Sequence, residues 1–211
     1  MAKLLRLNCI LAAAAVVLLS ATGHTTASSP IFGSAWDDLR VPVTSVRRLG
    51  TTDPDWVQFK DNGAASVGVF ALNFDGGGTR DEEVMFSVQM SHGWREGSAL
   101  HPHVHWSPTD ATAGNVRWAL EYTVCNVDGT FGNTTIIYIN DPSDQVAGKH
   151  QIADFADIDM TGNTFSAMLI CRLMREATDA ADTYDGHDAT LFEIDFHHQI
   201  DRPGSREEYV K

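Results

Sequence analysis

Three histidines at two-residue spacing, His101, His103 and His105, are the residues of this 211-residue chain whose type and pattern point most directly to chemistry. Alternate side chains of a β-strand share a face, so the run Leu100-His101-Pro102-His103-Val104-His105-Trp106 projects three imidazoles to one side. Imidazoles two residues apart stand roughly 7 Å apart along the strand, so two of them can converge on one divalent ion. Three in a row cannot easily do so. A cupin-like site would complete such a His-x-His pair with a carboxylate and a further histidine from other strands, and Glu121, Glu193, His197 and His198 are available. The same row can instead pack on a neighbouring strand or subunit, or stack about a three-fold axis. Pro102 within it favours an edge or a bulge. Packing or a subunit interface is the first reading of His101, His103 and His105, with Trp94 and Trp106 grouped beside them. A divalent metal on the three histidines is the second, and acid-base catalysis the third.

Other candidates are weaker. His197 and His198 are adjacent, so on a strand they point to opposite faces: His198 joins Phe196, whereas His197 joins Glu193 and Asp195. The acidic stretch Asp179-Ala-Ala-Asp182-Thr-Tyr-Asp185-Gly-His-Asp188 gathers oxygen ligands suited to calcium, without EF-hand spacing. There is no Gly-x-Ser-x-Gly elbow, phosphate-binding glycine loop, His-Glu-x-x-His helix or paired Cys-x-x-Cys motif. The expectation is a protein that is not an enzyme and needs no cofactor.

The elements that must position these residues read as strands. Val116, Trp118, Leu120, Tyr122 and Val124 alternate strictly with polar or small neighbours, as do Val84, Phe86, Val88 and Met90, and again Phe192, Ile194 and Phe196. Thr134–Ile139 and Phe165–Leu173 are continuous apolar runs, as expected of strands buried on both sides. Turn residues separate the runs: Gly76-Gly77-Gly78, which reads as a loose hairpin, Asp128-Gly129, Asn140-Asp141-Pro142 and Asp185-Gly186. A short helix or turn is expected near Ile152–Phe155. Eight to ten short strands without alternating helices predict an all-β, antiparallel, jelly-roll-like sandwich. Cys125 and Cys171 read first as two buried thiols, with one disulfide between them as the alternative.

Charge and the N-terminus bound the partners. With 15 basic against 28 acidic residues the formal net charge is −13, and nucleic acid is an improbable partner for such a surface. Lys3 and Arg6 precede an apolar run from Cys9 to Leu19 and small polar residues to Ala27, the layout of a cleavable secretory leader. The run is too short for a permanent membrane span, and the same residues suit a retained anchoring arm. Residues 1–33 are therefore assigned to a leader or arm plus connector, and residues 34–211 to one β-sandwich domain.

The motifs Trp36-Asp-Asp-Leu-Arg-Val-Pro-Val, Ser91-His-Gly-Trp-Arg-Glu-Gly, His101-Pro-His-Val-His-Trp and Trp118-Ala-Leu-Glu-Tyr, with Leu191-Phe-Glu-Ile-Asp-Phe-His, resemble a family of tailed-bacteriophage virion proteins. The likeness spans residues 36 to 199. It implies a β-sandwich that decorates a capsid or forms a head fibre or spike, often as a homotrimer docked on the major capsid protein or another virion protein. A signal-like leader departs from that pattern, since such particles assemble in the cytoplasm. Two alternatives stand beside the virion role: a secreted bacterial β-domain binding glycan through exposed Trp94 and Trp106, and a cupin-like metalloprotein using His101, His103 or His105.

Overall fold

Alternation of apolar and polar side chains carries most of the chain into strands. In the computed structural model, which describes residues 35–77 and 79–208, ten strands follow one another: β1 Ala35–Pro42, β2 Asp55–Lys60, β3 Val69–Phe74, β4 Glu82–Gln89, β5 Leu100–Pro108, β6 Asn115–Cys125, β7 Thr135–Pro142, β8 Gln151–Asp154, β9 Met168–Arg175 and β10 Ala189–Ile200. A 3-10 turn, Val43–Ser45, follows β1. The leader or arm predicted for residues 1–33 lies outside the described residues. Among those described, no helix is long and apolar enough to cross a membrane.

The strands form two antiparallel sheets. One has six strands in the order β2-β3-β10-β5-β8, with β1 also paired to β10; the other has four, β4-β9-β6-β7. The long β10 is the hub of the larger sheet, bordered by β5 on one side and by β1 and β3, at opposite ends, on the other. Side chains from the inner faces of both sheets interdigitate. Leu72, Phe74, Val104, Trp106, Ile194 and Phe196 meet Val84, Phe86, Trp118, Leu120, Leu169 and Leu173, all buried. Phe74 packs edge-on against Trp118 with centroids 5.2 Å apart, and Phe86 lies 6.2 Å from Phe196. Burial of this apolar surface is the main term holding a sandwich together, at about 25 cal/mol per Å².

The predicted all-β sandwich is present, with local differences that have physical causes. Thr134–Ile139 is not buried on both sides: β7 is the edge of the four-stranded sheet, and Ile136 and Tyr138 face out. Of Phe165–Leu173, only the part from Met168 is strand, and Ile170 is exposed because the outer face of that sheet is uncovered. Residues 152–154 belong to the edge strand β8 rather than to a helix or turn, since Gln151–Asp154 pair with β5. The glycine run lies between β3 and β4, which belong to different sheets, so it is a crossover and not a hairpin. Gly76 is needed there because a Cβ would meet the His187 carbonyl oxygen at 2.1 Å.

Trp94 and Trp106 are fully buried, which corrects their reading as exposed glycan-binding rings. Trp106 donates its Nε1–H to Asp141 Oδ2 at 2.7 Å, so its one polar atom is satisfied inside the fold. Cys125 and Cys171 are both buried free thiols. In the β6–β9 ladder Cys125 faces Met168 and Cys171 faces Tyr122, three rungs and one face apart. That offset is roughly 10 Å along the ladder, beyond the reach of a disulfide, and burial pushes the Cys171 thiol up to about 12.

Burial also pushes the Asp141 carboxyl up to about 6, against the opposing hydrogen bond from Trp106. An acid whose folded value is raised favours folding when protonated, so its cost to stability is absent near pH 4 and grows as the pH rises towards 6. Asp141→Asn keeps an acceptor for Trp106 without the charge. Thermal melts should show the variant equal to the wild type near pH 4. Above pH 6 it should be more stable by on the order of 1 kcal/mol after solvent screening, a few degrees in Tm.

Candidate functional site

The outer face of the six-stranded sheet carries the histidines, and core packing dictates that it does. Leu100, Val104 and Trp106 of β5 are buried between the sheets, so His101, His103 and His105 must project the other way. The same logic applies to β10, where Ile194, Phe196 and His198 are buried and Glu193, Asp195 and His197 share the opposite face. A β-bulge at Phe192 interrupts the alternation: Leu191 pairs with Trp106 and Glu193 with His105, leaving Phe192 unopposed. Phe192 therefore does not join Ile194 and Phe196 on one face. It packs against Phe59 and His150, with centroids 4.8 and 6.1 Å away.

Register then brings distant residues side by side. Asp195 faces His103 on one flank and Arg40 on the other, His197 lies between His101 and Asp38, and Asp154 adjoins His103 from β8. His103 and Asp195 are only 2% and 4% exposed, while their neighbours are reachable from solvent.

The three histidines of β5 part company. His101 turns to Asp157, Nδ1 to Oδ1 2.6 Å, and meets the edge of the Trp36 ring at 5.0 Å. His103 and His105 converge on Asp195. His103 Nε2 lies 2.5 Å from Asp195 Oδ1, His105 Nε2 lies 3.1 Å from Oδ2, and the two Nε2 atoms are 3.1 Å apart. The contact to Oδ1 is close but off the hydrogen-bonding direction, leaving that buried oxygen without an aligned donor. His197 packs edge-on against His103 at 4.3 Å and is paired through Nε2 with Asp38 Oδ1 at 3.0 Å. His150 stacks on His105 at 4.9 Å, its Nε2 2.7 Å from His105 Nδ1.

Electrostatics follow the geometry. Burial alone would lower His103, but Asp195 outweighs it and holds the imidazole above its ordinary value. Burial alone would raise Asp195, and His103 and His105 outweigh that in turn, holding the carboxyl below the usual range. His198, on the core side, is pushed down by burial and sits 3.2 Å from Ser91 Oγ.

Of the residues offered to complete a His-x-His pair, only His197 arrives. Glu193 is paired with Arg40, Nη2 to Oε2 2.7 Å. Glu121 lies in the other sheet, bonded by Arg172 at 2.9 Å and by Thr134 at 2.6 Å. His198 faces the core. The carboxylate that does arrive, Asp195, was legible only as a face-mate of His197, and strand order was needed to set it beside His103. His150 gave no signal, because a loop delivers it. The acidic stretch does not build a calcium site among the described residues: Asp182 is spent on buried Arg175 at 2.9 Å, Asp179 accepts from the Ala181 amide at 2.8 Å and Asp188 accepts from Asn73 at 3.0 Å.

No family model and no curated protein matches the sequence. Among solved structures, the CBM22-1 and GH10 modules of Clostridium thermocellum endo-1,4-beta-D-xylanase 10B, complexed with xylohexaose, align at 12% identity and TM-score 0.39, over 84% of this chain and 29% of that one. The CBM22-2 xylan-binding domain of Paenibacillus barcinonensis aligns at 10% identity and TM-score 0.41, over 78% and 99%. The enzymatically active domain of tailspike protein 4 from bacteriophage CBA120 aligns at 8% identity and TM-score 0.35, over 78% and 19%. Scores this low carry no functional inference to this chain.

Replacing Asp195 by Asn removes the charge that raises His103 and leaves its burial in place. NMR titration of chelator-treated protein should find the His103 midpoint above 6.5 in the wild type and below 6.5 in the variant. In the wild type, the contribution of raised His103 to stability is complete below pH 6.5 and is lost as pH rises through its folded value; that of lowered Asp195 is lost as pH falls below 3.8. Asp195→Asn should remove the acid limb and reverse the sign of the His103 limb, whose contribution is then lost as pH falls through its lowered value.

Proposed function

We propose that this chain is a non-catalytic binding module whose recognition surface is the outer face of the six-stranded sheet and whose ligand is a saccharide. The observation that carries the reading is the strip at the β1 end of that face, where Trp36, 54% exposed, leans on His101 beside Asp157, Asp38 and His197. A flat aromatic ring offers stacking to the apolar face of a sugar, and the imidazoles and carboxylates around it offer hydrogen bonds to its hydroxyls. Charge pairing supports binding over catalysis. A general acid for glycoside cleavage needs a carboxyl raised towards neutrality; on this face Asp195 is held low by its histidines, and the raised carboxyl of Asp141 is engaged by the buried Trp106. The aromatic anchor is thus Trp36 in place of Trp94 and Trp106.

A virion role is a second reading, supported by the motif resemblance and by the uncovered apolar residues Ile136, Tyr138 and Ile170 on the outer face of the four-stranded sheet. Under it the chain assembles as a homotrimer and docks on a capsid protein. A trimeric mass by light scattering that Ile170→Glu reduces to a monomer supports this reading, and a monomeric wild type removes the trimer from it.

The saccharide reading is tested by glycan-array screening followed by calorimetry. Binding of a neutral oligosaccharide should weaken at least about tenfold, roughly 1.4 kcal/mol, in Trp36→Ala and in His101→Ala. Absence of any glycan hit, or binding unaltered in Trp36→Ala, overturns it.

A further inference from the structure

Apart from the strip around Trp36, the centre of the same face holds a group of side chains whose arrangement the saccharide reading does not use. One ligand atom each from His103, Asp195 and His197 lies within 4.8 Å of the others, and among the described residues these three form the group of histidine, cysteine and carboxylate donors that meets this test. His105, outside that group of three, adds a third nitrogen and a fourth donor, 3.1 Å from both His103 Nε2 and Asp195 Oδ2. We propose that His103, Asp195, His197 and His105 form a binding site for one divalent transition-metal ion, zinc or a metal of similar ligand preference. The inference does not depend on the saccharide reading.

Four features support it. Ligand atoms around a tetrahedral zinc ion, at bond lengths of about 2.0–2.2 Å, stand about 3.3–3.6 Å from one another, a little wider than the 3.1 Å separations made by His105 Nε2. Second, Asp195 is 96% buried, taking its 4% exposure, and its Oδ1 has no aligned donor although His103 Nε2 stands 2.5 Å away. An imidazole nitrogen and a carboxylate oxygen crowded together off axis both satisfy their lone pairs if they part to about 3.3 Å and bind one cation side by side. Third, two imidazole nitrogens facing each other at 3.1 Å cannot both aim protons at each other, and an ion lets both act as lone-pair donors. Fourth, the rings are held from behind: Asp38 grips His197 at 3.0 Å and His150 contacts His105 Nδ1 at 2.7 Å, the outer contacts that fix ring orientation in metal sites.

The donor set selects the metal. Imidazole nitrogens with a single carboxylate suit zinc, copper, nickel or iron, whereas calcium and magnesium demand more oxygen than one aspartate supplies. His101, turned away to Asp157, is not a ligand. The site therefore takes two of the three strand histidines and draws its other donors from β10.

The test uses the full chain, stripped with chelator and titrated with zinc chloride in a calorimeter, with bound metal counted by elemental analysis. One ion per chain is expected, together with a zinc-dependent rise in Tm and no comparable response to calcium or magnesium. Affinity should fall on the order of 100-fold or more in His103→Ala and in Asp195→Asn. His187→Ala, which removes a histidine paired elsewhere with Asp110, should leave it unchanged. Cobalt added to the wild type should give the visible spectrum of a low-coordinate nitrogen and oxygen site, absent in Asp195→Asn, and this reads the site even if His103→Ala fails to fold. No stoichiometric zinc on folded wild-type protein, or zinc binding that survives Asp195→Asn, overturns the proposal.

Discussion

The register between β10 and β5 is the constraint on which the rest of the outer face depends. It is imposed from the core: Val104 and Trp106 must enter the sandwich from β5, and Ile194 and Phe196 from β10. A slip of one residue would reverse every side chain on the strand. Once the apolar set is inside, Asp195 has no choice but to face outward opposite His103, with Arg40 and Asp154 completing the row. The bulge at Phe192 lets Leu191 and Ile194 both be buried despite their odd spacing. It also lifts one aromatic ring onto the surface beside His150.

Two buried ion pairs at different places in the sandwich show how differently such a constraint can be met. Arg175 is fully buried, bonded to both Asp182 oxygens and to the carbonyls of Phe74, His187 and Tyr184. Every donor direction used there has an acceptor, which is what makes a desolvated guanidinium tolerable. It joins the crossover after β3 to the loop before β10 and behaves as a structural clasp. The Asp195 cluster is as dry at its centre, but while His105 bonds Oδ2, the His103 imidazole meets Oδ1 at a poor angle. Histidine differs from arginine in that it can give up its proton and act as a lone-pair donor. The closed network stabilises, and the open one retains capacity to bind.

Much of this fold was legible because period-2 alternation is a direct record of burial. The strand of Trp118 and Leu120, the strand of Val84 and Phe86, and the histidine strand are where alternation places them. Reading failed where burial comes from tertiary context. The glycan reading needs Trp94 and Trp106 exposed, yet both are core. The run Thr134–Ile139 is apolar enough for a central strand but lies at an edge, a position that no local pattern encodes. The candidate site was half legible: the shared face of His101, His103 and His105 follows from spacing, and so does that of Asp195 and His197. That these two faces are one surface follows from the β5–β10 pairing, which joins residues about ninety positions apart.

The offset of Cys125 from Cys171 has a consequence for how β6 and β9 are held together. With its two thiols on opposite faces of one sheet, and the Cys171 sulfur kept protonated by burial, the sandwich closes entirely by packing and hydrogen bonding. A reductant has no crosslink between these two residues to cut and an oxidant none to make, so the pairing of β6 with β9 rests on their ladder of hydrogen bonds and the packing around it.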